Sequence, residues 1–153
     1  MNKDKYYMNI ALKEARKAYL RDEVPVGCII VQNDKIIARG YNLRESKRDI
    51  LKHAELIAIK KASKKLNNWR LEDSVMYVTL FPCPMCASAI IQSRIKKIVI
   101  GAPTKDRKIK QIVDVIFDGN NTSPKIEVIE DVLDKPCINI LSEFFQNKRN
   151  NNC

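Results

Sequence analysis

The sequence predicts an α/β fold in which a sheet is covered by helices on both faces. Three observations predict it. Short, strongly apolar runs recur along the chain, among them Val26 to Val31 and Val75 to Leu80. Between them lie stretches whose apolar residues return at helical spacing. The runs are also too uniformly apolar for strands with one wet face, so both faces must be covered.

Taken in order, Met8, Ala11, Leu12, Ala15 and Tyr19 recur every three to four residues, which predicts an amphipathic helix over roughly Asp4 to Leu20. Gly27 to Val31, a polar turn at Asn33-Asp34 and Ile36 to Ala38 predict a β-hairpin. Ala54, Ile57, Ala58 and Ala62 give the next helix its buried stripe. Val75 to Leu80 is a strand, and Ala87 to Ile91 continue a helix that starts at a Cys pair. Ile98 to Ile100 and Ile126 to Ile129 are further short strands, and Cys137 to Phe145 closes the chain as a helix. Trp69 and Tyr77 are expected in the core. No internal repeat and no linker rich in Pro, Gly or Ser divides the 153 residues. One domain over 1–147 is expected, with a flexible basic and polar tail over 148–153.

Composition narrows the class. With 45% hydrophobic and 30% charged residues the chain is neither disordered nor membrane-embedded. No apolar run reaches the roughly 20 residues that span a bilayer, and Asp4, Lys5, Lys13, Glu14, Arg16 and Lys17 exclude a signal-peptide core. A cytoplasmic protein is expected. Five cysteines, two of them three residues apart, suit a metal in a reducing compartment better than a disulfide framework. Cys28 reads as a small buried thiol, and Cys137 and Cys153 receive no role. The 28 Lys and Arg against 18 Asp and Glu leave a net charge of +10. That excess suits a polyanionic partner, although solubility alone also explains it.

The chemistry is carried by His53-Ala54-Glu55 and, later, Pro82-Cys83-Pro84-Met85-Cys86. One His and two Cys make three zinc ligands and leave a fourth position open to water. Cys83 and Cys86 fall where a strand gives way to a helix, and their spacing puts both sulfurs on one face of the first turn. Prolines are tolerated there because the first helical N–H groups lack partners, and the positive helix end favours thiolates. His53 and Glu55, two apart, can address one metal only if it lies beyond the N-terminal end of their helix. Two helix N-termini are therefore expected to converge on one zinc, with Glu55 as proton shuttle at the open position. A structural zinc would need a fourth ligand, and the remaining cysteines do not sit at paired spacing.

This H-x-E and P-C-x-x-C arrangement is similar to that of zinc nucleobase deaminases. Over nearly its whole length the chain resembles the bacterial tRNA-specific adenosine deaminases of the cytidine and deoxycytidylate deaminase superfamily. The resemblance runs through Glu23-Val24-Pro25-Val26-Gly27, Gly40-Tyr41-Asn42, Asn68-Trp69-Arg70-Leu71, Tyr77-Val78-Thr79-Leu80, Ser93-Arg94-Ile95, Gly101-Ala102 and Phe144-Phe145. It implies a three-layer α/β/α cytidine-deaminase-like fold with a five-stranded mixed sheet, one zinc per subunit and a homodimer. It further implies a nucleoside pocket lined by Asn42, Pro25, Val26, Gly27 and Ala54, and a tRNA anticodon stem-loop as substrate, with adenosine-34 converted to inosine.

Two departures stand out. The family usually has Glu where this chain has Phe81, and a Gly-rich segment where it has the basic, glycine-free stretch Pro103 to Lys110. Phe81 is neither ligand nor proton shuttle, so the chemistry is expected to survive with altered packing or substrate contacts. Candidate RNA contacts are Arg44, Lys47, Arg48, Lys52, Arg107, Lys108, Lys148 and Arg149 for phosphates. Phe144 and Phe145 are candidates for stacking, with at least one of the two expected in the core. Two other readings remain at this point: a free-base or nucleoside deaminase of guanine, adenosine or cytosine type, and a non-catalytic zinc-stabilised RNA-binding module.

Overall fold

The computed structural model describes residues 2–151. Helix α1 spans Lys3–Leu20 and is followed by the hairpin β1 (Gly27–Gln32) and β2 (Lys35–Tyr41). Asn33 and Asp34 between these strands both adopt positive φ, the geometry that matches a two-residue hairpin turn to strand twist. Then come α2 (Ala54–Leu66), β3 (Ser74–Leu80), α3 (Pro84–Gln92), β4 (Lys97–Ala102), α4 (Arg107–Phe117), β5 (Glu127–Ile129) and α5 (Asp134–Asn151). The sheet order is β2-β1-β3-β4-β5. β1 pairs antiparallel with β2 and β3, while β3–β4 and β4–β5 are parallel. The sheet is therefore mixed.

Strand alternation decides the layers. Cys28 and Ile30 of β1, Met76 and Val78 of β3, and Ile98 and Ile100 of β4 face one core with α2, α3 and α4. Ile29, Val31, Tyr77 and Val99 point the other way, into a second core with α1 and α5. This is the expected three-layer α/β/α arrangement. Among the described residues, no helix is long and apolar enough to cross a membrane.

The basic stretch 103–110, given no element from the sequence, is partly helical, and two expectations need correction. Asp106 Oδ1 accepts from the N–H groups of Lys108 and Ile109 at 2.9 and 3.1 Å, and α4 starts there, so Arg107 and Lys108 lie on its first turn. Val113 and Phe117 bury its inner face, a helical stripe already present in the sequence. Trp69 is not in the core but 52% exposed. It follows the left-handed cap Asn67 of α2, outside the apolar stripe, and the Arg70 and Arg94 guanidinium groups lie 4.4 and 5.6 Å from its ring centroid. Leu71, fully buried, takes the core position instead. Finally, the segment expected to fray from 148 continues α5 to Asn151. There Lys148 pairs with Asp22 and covers the Phe144 ring at 5.8 Å. The rest of that expected tail, residues 152–153, lies outside the described residues. Tyr77 is buried as expected, its hydroxyl donating to Asp4 at 2.9 Å.

Candidate active site

His53 is the N-cap of α2 and Cys83 the N-cap of α3, and neither side chain caps its own helix. Both positions that ordinarily satisfy a helix N-terminus are given over to a shared point in space. Gly40 allows this: a Cβ there would stand 2.5 Å from the Ala54 carbonyl oxygen, so only glycine lets the start of α2 pack so closely on β2.

The ligand atoms of His53, Cys83 and Cys86 all lie within 4.8 Å of one another. Cys83 Sγ is 3.8 Å and Cys86 Sγ 3.5 Å from His53 Nδ1. Tetrahedral zinc, with Zn–S of about 2.3 Å and Zn–N of about 2.0–2.1 Å, requires an N···S separation of about 3.6 Å. The donor set thus fits zinc in geometry and in chemistry.

The three donors share charge unequally. The Cys83 thiol is pushed down to about 4, first by a hydrogen bond from the Cys86 thiol and then, against burial, by His53. Cys86 moves upward because it is the donor in that pair, and the bond to Cys83 raises His53. Cys83 is a ready thiolate at a positive helix end, a state that favours metal capture. Glu55, in the first turn of α2, is only 4% exposed. Burial pushes its carboxyl up to about 7, a value suited to a group that must both take and return a proton near neutrality.

These residues face a cavity of about 160 Å³ lined by Val24, Val26, Asn42, Arg44, His53, Ala54, Glu55, Leu80, Phe81 and Cys83. Asn42 is 8% exposed and its Nδ2 donates to the Val24 carbonyl at 3.4 Å. Its Oδ1 is buried with no partner among the described residues. An orphaned polar atom in a cavity is a place for a ligand to hydrogen-bond.

Of the residues expected to line the pocket, Asn42, Val26 and Ala54 do so. Pro25 and Gly27 are buried but do not line it. Gly27 instead donates its N–H to Thr79 Oγ1 at 3.0 Å, tying β1 to β3. Among the proposed RNA contacts, Arg44 lines the cavity. Lys47 and Arg48 are exposed in the loop before His53, with Lys52 half-buried beside it. Phe144 is buried against Tyr19, while Phe145 is 44% exposed. Phe145 and Arg149 line a second groove of about 400 Å³ together with Pro103, Thr104 and Lys105. Arg107 and Lys108 line neither space.

Val24, Leu80 and Phe81 are wall residues that spacing did not single out as site residues, since an apolar strand end looks the same whether it meets core or cavity. Glu23 is another omission. It is 1% exposed and accepts the N–H groups of Glu45 at 3.0 Å and Ser46 at 2.6 Å, pinning the loop that carries Arg44. The available signal was an acidic residue beside Val24-Pro25-Val26, since buried charge needs partners. Burial raises its carboxyl, but bonds from Ser46 and Glu45 and the charge of Arg44 outweigh that and hold it below the usual range. A depressed value means the stabilisation is complete above the unfolded-chain value of about 4.3 and disappears as pH falls through the native one. Glu23→Gln is therefore expected to cost roughly 1–3 kcal/mol at pH 7. Urea unfolding at pH 7 and at pH 4 checks this, because the gap to wild type must narrow at the lower pH.

Fold and site define an α/β zinc-site domain of the nucleobase-deaminase class. Residues 1–102 match the model of the cytidine and deoxycytidylate deaminase zinc-binding region. The chain is 42% identical over 149 residues to a tRNA-specific adenosine deaminase of Bacillus subtilis (strain 168), covering 97% of this chain and 92% of that one. It is 45% identical to the protein of that description from Buchnera aphidicola subsp. Schizaphis graminum, with 97% of each covered. A solved structure from work on A-to-I editing by tRNA:A34 deaminases at the wobble position of transfer RNA superimposes with a TM-score of 0.81 at 35% identity. It covers 89% of this chain and 99% of that one. The chain belongs to the cytidine and deoxycytidylate deaminase zinc-binding family and, within it, to the tRNA-specific adenosine deaminases.

Proposed function

We propose that this chain converts adenosine to inosine in tRNA by hydrolysis, at wobble position 34 of the anticodon. The observation that carries this reading is a small cavity at the ligand cluster that shares two wall residues with a larger groove. The catalytic cavity of about 160 Å³ is below the roughly 300–1,000 Å³ of sites that enclose whole small ligands, so it suits a base alone. Val24 and Leu80 line both it and the larger groove that holds Lys105 and Phe145. A base can then enter while its ribose, phosphate and a neighbouring nucleotide stay outside on cationic and aromatic groups.

His53, Cys83 and Cys86 would hold one zinc per chain, which when bound would supply an acidified water. Glu55 takes a proton from the attacking water and passes it to N1 of the adenine ring as the water oxygen bonds to C6. Glu55 then takes the remaining proton from that oxygen and carries it to the amino nitrogen, the C6–N6 bond breaks, and ammonia leaves inosine behind. Asn42 orients the base through its amide oxygen, and the walls exclude bulk water. Arg44, Lys47, Arg48 and Lys52 meet phosphates of the anticodon stem-loop. Ile50, Leu51, Ile112 and Val115, all exposed, are apolar surface for a second copy in a homodimer.

The test offers the zinc-loaded protein total tRNA and, separately, free nucleosides and bases. Inosine at position 34 alone is the expected result. Ammonia from a free nucleoside or base, with tRNA untouched, would sink the tRNA reading.

A further inference from the structure

The last helix faces the larger groove on one side and is clamped on the other. Phe145 and Arg149 of α5, four residues apart and so on one helical face, line the groove of about 400 Å³ that shares Val24 and Leu80 with the catalytic cavity. Glu143 and Asn147 make a second pair at the same spacing, offset from the first by two residues, roughly 200° round the helix. Both reach one oxygen. The Tyr19 hydroxyl, near the C-terminal end of α1, donates to Glu143 Oε1 at 3.1 Å and accepts from Asn147 Nδ2 at 2.6 Å. The Tyr19 ring also meets Phe144 edge-on with centroids 5.9 Å apart, and Phe144 meets Phe145 in the same way at 5.4 Å. Three rings thus run in contact from α1 to the groove wall. Asp22, just past α1, adds its ion pair to Lys148. The core anchors α5 only through Cys137, Ile140 and Phe144, and among the described residues no side chain of α5 beyond Phe144 is buried. The turn that carries Phe145 and Arg149 is therefore held to α1 by the clamp.

We propose that Tyr19 is a positioning residue for the RNA substrate: its hydroxyl fixes the roll of α5 about its axis and its ring seats Phe144 and Phe145. Phe145 and Arg149 then present a preformed surface to the nucleotides that stay outside the cavity. The proposal rests on the tRNA reading and deepens it. Stacking on a ring and a guanidinium–phosphate bond both need orientation as well as proximity, and the roll of the helix sets that orientation. A wall ordered in advance also spares binding the cost of ordering it. Tyr19 lines neither the catalytic cavity nor the groove, so it acts through α5 and on RNA binding, not on the chemical step at Glu55.

The experiment measures kcat and KM of the zinc-loaded protein on an anticodon stem-loop RNA with adenosine at position 34, with thermal melts as a check on folding. Tyr19→Phe keeps the ring and removes both hydrogen bonds. Its KM is expected to rise roughly 3- to 10-fold with kcat within about twofold of wild type, the pattern of lost binding shared by ground and transition states. The same change is then made in a Phe145→Ala, Arg149→Ala background, where kcat/KM is read from initial slopes. There the hydroxyl has nothing left to position, and Tyr19→Phe should alter kcat/KM by less than about twofold. A merely structural tyrosine would act alike in both backgrounds. A wild-type KM in folded Tyr19→Phe, a loss confined to kcat, or an undiminished effect in the second background overturns the proposal and leaves the tRNA reading standing. If that background does not fold, Glu143→Ala with Asn147→Ala replaces it: the pair should raise KM as Tyr19→Phe does, and a further rise on adding Tyr19→Phe overturns the proposal. Wild type inert on this RNA overturns the functional reading and the proposal together.

Discussion

Glu55→Gln is expected to lower kcat about 10²- to 10⁴-fold while zinc content and fold persist. The amide keeps the shape of the carboxyl and can still hydrogen-bond, but it cannot carry a proton from water to the base. Glu55 is almost wholly buried and burial disfavours its charged form. Removing the charge should therefore leave thermal stability equal or higher, since a catalytic group is held at a cost to stability. Three measurements check this together: single-turnover rate on the stem-loop, zinc per chain by elemental analysis, and the melting temperature. Wild-type turnover in Glu55→Gln would remove Glu55 from the mechanism.

The second large effect is on the metal. His53→Ala removes one of three ligands, and zinc should fall well below one per chain with activity lost. Binding that occurs only in the folded state stabilises by about 4 kcal/mol at a thousandfold excess over Kd. For a chain of this size that corresponds to roughly 10 °C in melting temperature. Wild type should lose this increment when a chelator is added, and His53→Ala should melt at the lower temperature with or without it. A melting temperature for wild type that ignores chelator would mean the three side chains hold no metal.

Much of this was legible before any coordinates. The strands at Val26 to Val31, Val75 to Leu80 and Ile98 to Ile100 announced themselves because each is buried on both sides. The ligand set was legible because zinc demands particular atoms at particular spacing, and Pro82 and Pro84 marked the helix start. Helix α4 is masked in the sequence by the charges of 103–110, although Asp106 followed by Ile109, Val113 and Phe117 is a capped helical pattern. Trp69 was misplaced because an aromatic residue beside an apolar run reads as core, whereas two arginines flank it at the surface.

The sequence by itself determined which atoms can bind zinc, which residue can move the proton, and that a sheet lies between two helical layers. Those properties are local: they follow from side-chain chemistry, cap positions and the periods of strand and helix. Only the tertiary structure decided that His53 meets Cys83 across 30 residues, that Glu55 is buried, and that Asn42 has an unpaired oxygen. It alone turned Phe81 into a cavity wall with Lys110 behind it. Such facts depend on how closely α2 settles over Gly40 and where α4 lies against α3. Packing between distant segments sets them, and no periodicity in one segment encodes its neighbour's position.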